Sequence, residues 1–202
     1  MDSIKKQWPS IKYQLVCMWV YFFAAYLPFF IFMLVRHNVS TTSMSAIGWI
    51  TGGIHYLFLY IIITVPFCLY QIFFFNRHFI GNNKFINAMS VISCALITLG
   101  TFIPLRQHYQ FCWTTFAHTI LCIGGAILLM LTISFALMLR AIKEKHKTVL
   151  LSLYGIYAAI LVTAFCILGT AALFQLSITL SFFLILLFAN TTLVILSRPS
   201  SN

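Results

Sequence analysis

The residues able to do chemistry are few and mostly basic. The chain has 12 lysines and arginines, 6 histidines and only 2 acidic residues among 202 positions. The densest polar group lies between Phe102 and His118, FIPLRQHYQFCWTTFAH, where Pro104, Arg106, His108 and His118 interrupt an otherwise apolar sequence. Arg36, His37 and His55 add two more imidazoles and a second guanidinium, and Ser40, Ser43 and Ser45 lie between them. A cluster of this kind without a carboxylate suits an anion, because arginine grips phosphate or carboxylate through paired hydrogen bonds and imidazoles donate bonds or carry protons near neutral pH. The competing reading is that Arg36 and Arg106 anchor helix ends at lipid headgroups and an interior histidine bonds a neighbouring carbonyl. Nucleophilic hydrolysis has no obvious support: Asp2 and Glu144 lie far from these serines, so no acid is at hand to orient a Ser–His pair. No cofactor is expected, the alternative being a haem or an all-histidine metal site that uses His55 and His118.

The elements that must position these groups are membrane helices. Hydrophobic residues make up 62% of the chain, charged ones 7%, and the mean hydropathy is +1.01, a balance with too few polar groups to clothe a water-facing surface. Hydrocarbon satisfies no backbone N–H or C=O, so a spanning segment is either a helix or a strand of a closed barrel. Apolar runs of about 20 residues without alternation select helices. Six segments are expected, at 13–35, 46–75, 85–105, 116–139, 148–172 and 174–196, making one all-α polytopic bundle of residues 1–202. The run after MDSIKKQWPSIK is too long for a signal core and reads as the first span. Five of the 6 cysteines lie inside apolar runs and Cys112 sits alone in a connection, so no disulfide framework is indicated.

Charge placement predicts orientation. Ten of the 12 basic residues fall in the N-terminus, the second and fourth connections and the C-terminus, leaving only Arg36 and Arg106 on the other side. The positive-inside rule then puts both termini in the cytoplasm and the histidine cluster on the outer face. Net charge of +10 so distributed points to anionic lipid rather than nucleic acid. The loop RAIKEKHK, 140–147, is read as topogenic and lipid-contacting, and Asn38-Val39-Ser40 is an outward sequon. Depth places His55 and His118 together: they stand 20 residues from Phe75 and 21 from Leu139, about 30 Å up at 1.5 Å per residue. On continuous helices His55 shares a face with Gly48, Thr51 and Gly52, and His118 with Cys122 and Gly125, so both histidines are expected to point inward.

Three short stretches carry a family resemblance. STTSMSAIGW in the first outer loop, LGTFIPL closing the third helix and AHTILCIGG opening the fourth resemble bacterial six-helix membrane proteins of unknown function that are distantly similar to the autophagy-modulator and GPI-anchor-remodelling membrane proteins. That group has Ser, an acid, an apolar residue and Gly in the loop, then Gly-x-Phe-x-Pro, then His. The matching positions are Ser45 and Gly48, then Gly100, Phe102 and Pro104, then His118, with Ala46 where the group has its acid. The resemblance implies a six-helix fold and a role for His118, and the missing acid removes metal-assisted hydrolysis from what it implies. The function expected is lipid handling or remodelling in a bacterial inner membrane. An anionic headgroup or lipid anchor would be bound by Arg36, His37, Ser45, His55, Arg106, His108 and His118. A haem or metal redox protein, and a non-catalytic subunit serving a membrane-protein partner or homo-oligomer, are the alternatives.

Overall fold

The computed structural model describes residues 2–37, 43–105, 112–143 and 172–196, together with Thr148, Ser152, Gly155, Ile156, Ala159 and Thr163. These residues are helical apart from short connections, and no strand occurs among them. The elements are α1 (Asp2–Tyr21), α2 (Leu27–Arg36), a short α3 (Met44–Trp49), α4 (Ile54–Phe75), α5 (Lys84–Phe102), α6 (Trp113–Lys143) and α7 (Ala172–Leu196). Five stretches are long and apolar enough to cross a membrane: Pro9–Arg36, Ile54–Ile80, Lys84–Phe102, Trp113–Ala141 and Gln175–Ile195. The protein is therefore an integral membrane protein. The segment expected at 148–172 and the residues Arg106, His108 and Asn38 to Ser40 lie outside the described residues, seven helical positions of that segment excepted.

The first span is continuous through a π-helical turn, Phe22–Tyr26, that joins α1 to α2. Pro28 explains it: the ring removes an N–H and crowds the carbonyl one turn back, and the chain widens so that the Leu27 N–H reaches Phe22 O instead. The last helix is the central one. In α7 56% of the spanning window is buried, against 28% for the first span and for α6. Trp19 donates from Nε1 to Thr191 Oγ1 (3.1 Å), Tyr26 donates to Leu176 O (3.1 Å), and Tyr60 shares a 2.7 Å hydrogen bond with Thr179, which fixes α7 against α1 and α4.

The α5–α6 pair packs closest. A Cβ at Gly100 would lie 2.7 Å from Cys122 Sγ, and one at Gly125 would lie 2.9 Å from Ser93 O, so both positions need glycine for the two backbones to approach. At the opposite end from α3, a second π turn, Asn76–Ile80, leads into a tight hairpin in which fully buried Asn76 bonds Asn83 and Asn87. Arg140 donates from Nη1 to Phe79 O (2.8 Å) and tethers α6 to that turn.

The second expected segment is not one helix. The 46–75 run is split by Thr51 to Gly53, where Gly52 takes φ +78° and Gly53 caps α4. Glycine pairs terminate helices because φ above zero costs them nothing. This break separates the residues that a continuous helix would have aligned.

Candidate functional site

The short helix α3 lies across one end of the bundle and touches every described span there. Ser43 caps it by accepting the Ala46 N–H (3.1 Å), and the Met44 N–H donates to Gln175 Oε1 of α7 (3.3 Å). Trp49 donates from Nε1 to Thr101 O of α5 (3.1 Å). Met44 and Ile47 are buried with Phe29 and Met33 of α2, Leu57 of α4 and Leu176 of α7. Gly48 is the contact with α4, since a Cβ there would stand 2.9 Å from the Leu57 Cβ.

His118 supplies the contact with α6. It is 4% exposed, its Nε2 lies 2.8 Å from Ser45 Oγ, and its Nδ1 lies 2.8 Å from Ile103 O. The carbonyl can only accept, so in the neutral ring Nδ1 carries the hydrogen and Nε2 accepts the Ser45 O–H. Ile103 presents its carbonyl for a reason legible in the residues around it. Pro104 disfavours helical backbone at the residue before it, and Ile103 is extended at φ −80°, ψ 122° as α5 ends. The adjacent contact of Gly100 with Cys122 holds α6 close enough for His118, one turn before Cys122, to reach that carbonyl. Cys122 Sγ stands 3.9 Å from the same Nε2. The inward orientation expected for His118 is what the structure contains.

His55 is different. It is exposed in the first turn of α4, and its ring lies 3.9 Å from that of Tyr56. The expectation that it faces the interior beside Gly48 fails because the chain breaks at Gly52. His37 approaches Tyr56 as well, at 4.8 Å, and its Nε2 is buried without a hydrogen-bond partner. Arg36 is exposed at the end of α2. Four of the seven candidate residues thus fall into two groups, Ser45 and His118 in a hydrogen-bonded node with Ile103 O, and His37 and His55 in a ring cluster with Tyr56, while Arg36 joins neither.

The node can exchange a proton between hydroxyl and imidazole while Ile103 O holds the ring in one tautomer. Coordination of a haem or metal by His118 Nε2 would require Ser45 to leave it, and no group of three or more His, Cys, Asp or Glu positioned to hold a metal occurs among the described residues. Outside the spans, hydrogen bonds from the start of α6, that with Thr114 first, outweigh a smaller opposing effect of burial and bring the Cys112 thiol down to about 7. Sequence reasoning named Ser45 and His118 but not their bond, because it sought an acid to orient the imidazole and the orienting group is a main-chain carbonyl. No protein-family model, curated protein or solved structure matches the chain.

Proposed function

We propose that this membrane protein handles lipids, binding an anionic headgroup or lipid anchor at the end of the bundle closed by α3. In this reading the chain crosses six times, with both termini cytoplasmic, and the α3 end faces outward from the cell membrane of a bacterium. Ten of the 12 basic residues then lie on the cytoplasmic side. The observation that carries the proposal is the Ser45–His118 hydrogen bond, with its buried imidazole, at the end of the bundle that in this reading meets the outer headgroups. A phosphate oxygen would accept the Ser45 O–H in place of His118 Nε2, Arg36 at the exposed end of α2 would supply positive charge, and His37, His55 and, outside the described residues, Arg106 and His108 complete the proposed set. The resemblance at Ser45, Gly48, Gly100, Phe102, Pro104 and His118 supports it, since these positions make or flank the node.

A second reading, remodelling of the lipid, is favoured by the Ile103 carbonyl. An imidazole held by a carbonyl at Nδ1 and bonded to a hydroxyl at Nε2 has the disposition of a nucleophile and its base. Ser45 Oγ would attack an ester carbonyl as its proton passes to Nε2. The ester C–O bond would break with that proton going to the leaving alkoxide, and water would then release the acyl group by the reverse proton path.

The test is native mass spectrometry of the detergent-extracted chain with lipid identification. Wild type retains anionic phospholipid, and His118→Ala and Arg36→Ala lose most of it while keeping the wild-type helical content. Unchanged lipid in both variants refutes headgroup binding and leaves the subunit role. A Soret band in the same preparation, lost in His118→Ala, would replace it with haem binding. Covalent labelling of wild type but not Ser45→Ala by a fluorophosphonate selects remodelling; no labelling of either restricts the site to binding.

A further inference from the structure

A second polar site lies in the core between α4 and α7, far from the α3 end. Gln71 and Asn190 are each 0% exposed, and the oxygen and nitrogen of both carboxamides are buried without a hydrogen-bond partner. This departs from how the fold treats its other buried polar groups. Asn76, equally buried, makes three hydrogen bonds, and Thr64, Ser90, Ser93, Thr101 and Thr132 each bond the carbonyl one turn back.

The two carboxamides belong to one site by register. Leu57 packs in a cluster with Leu176, Tyr60 bonds Thr179 at 2.7 Å, and the rings of Phe67 and Phe183 lie 4.8 Å apart, so α4 and α7 run in the same direction side by side. Gln71 follows Tyr60 by eleven residues, and Asn190 follows Thr179 by eleven. Eleven residues make three turns to within about 20° and advance about 16 Å. Both amides therefore return toward the faces that meet at Tyr60–Thr179, level to within about one turn, since the Phe67–Phe183 contact lies three residues off that register beyond Pro66. The Trp19–Thr191 hydrogen bond brings α1 to the same level.

We infer that Gln71 and Asn190 together bind enclosed water, one molecule or a pair, which bridges α4 to α7. The donor set selects the ligand. Each carboxamide offers two N–H donors and one acceptor oxygen, so a ligand that satisfies both must donate and accept. A cation would engage the two oxygens, leave the N–H groups unmet and find no carboxylate on either helix, since neither α4 nor α7 carries an Asp or Glu. An anion would leave the oxygens unmet. Water meets both needs, and its buried instances characteristically join groups of this kind.

X-ray hydroxyl-radical footprinting of the full-length chain in detergent tests this, because radicals made from enclosed water label their neighbours regardless of bulk exposure. Phe75 is one turn beyond Gln71 on the same face, its side chain leans back toward it, and it is 1% exposed; Phe29, 5% exposed and packed in the cluster at the α3 end, is the control. Oxidation of Phe75 several-fold above that of Phe29, and its fall to the Phe29 level in Gln71→Leu/Asn190→Leu, are expected. Equal labelling of the two rings in wild type overturns the proposal even if the double variant does not fold. Labelling of Phe75 that persists in a folded double variant overturns it also.

Discussion

Removing the Ser45 hydroxyl isolates the bond on which the α3 end depends. In Ser45→Ala the Nε2 of His118 keeps its burial, 4% exposure for the residue, and loses its acceptor role toward Oγ at 2.8 Å. Its remaining neighbour, Cys122 Sγ at 3.9 Å, is a weak donor, so the loss approaches that of an unmet buried polar atom, about 1–3 kcal/mol. For a chain of 202 residues each kcal/mol moves the melting temperature by about 2–4 °C, so a fall of roughly 2–12 °C is expected. His118→Phe keeps the ring's bulk and strands both Ser45 Oγ and Ile103 O, and its cost should exceed that of Ser45→Ala. The double variant leaves only the Ile103 carbonyl unmet, so it should be more stable than the two single costs added together, by a coupling of about 0.5–3 kcal/mol. Thermal unfolding in detergent, followed by intrinsic fluorescence of Trp19, Trp49 and Trp113, measures all three. Costs that add to within about 0.5 kcal/mol would show that Ser45 and His118 are not partners.

Gly100→Val places branched carbon where a Cβ alone would already lie 2.7 Å from Cys122 Sγ and 2.9 Å from its backbone N, so α5 and α6 must separate. Loss of several kcal/mol in thermal unfolding is expected, whereas the same change at Gly124, where nothing lies within 4 Å of an added Cβ, should cost under about 1 kcal/mol. Cys112 has a thiol brought down to about 7. Its thiolate therefore forms as pH rises through about 7, below a free thiol's range, and alkylation by a membrane-impermeant maleimide should rise about tenfold from pH 6 to pH 8. With Cys112 on the outer face, intact cells label it and Cys112→Ser cells do not; labelling only after lysis would invert the proposed topology.

The membrane class was legible because it follows from bulk quantities. Mean hydropathy of +1.01 and runs of about 20 apolar residues leave helices as the only way to satisfy backbone polar groups. The third expected segment, 85–105, corresponds to α5 at Lys84–Phe102, and the fourth, 116–139, lies inside α6 at Trp113–Lys143. Local backbone chemistry was less legible, since it competes with the pattern that hydropathy averages over. Thr51 to Gly53 lie within an apolar stretch, and averaging runs the helix through them, although the glycine pair marks a break. His55 was misplaced for that reason alone. His118 was placed correctly because α6 is unbroken from Trp113 to Gly125, so its helical period holds.

The two polar sites escaped the sequence for opposite reasons. Ser45 and His118 are 73 positions apart and meet only because α3 folds back over the bundle, an event that depends on Gly52 and on contacts with five helices. The sequence signal that was present is Gly100-x-Phe102-x-Pro104: a glycine for close approach, then a proline that turns the preceding carbonyl out of the helix. Gln71 and Asn190 carry no motif at all. Their signal is a carboxamide set deep within an apolar span, where hydrocarbon would leave it unmet, so each must find a polar partner in the protein interior. Neither residue finds one in the other directly, yet their common register with Tyr60 and Thr179 brings them level to within about one turn. With Tyr60 and Thr179 already bonded hydroxyl to hydroxyl, the enclosed water proposed at Gln71 and Asn190 would complete a polar seam three turns below, along α7, the most buried of the described spans.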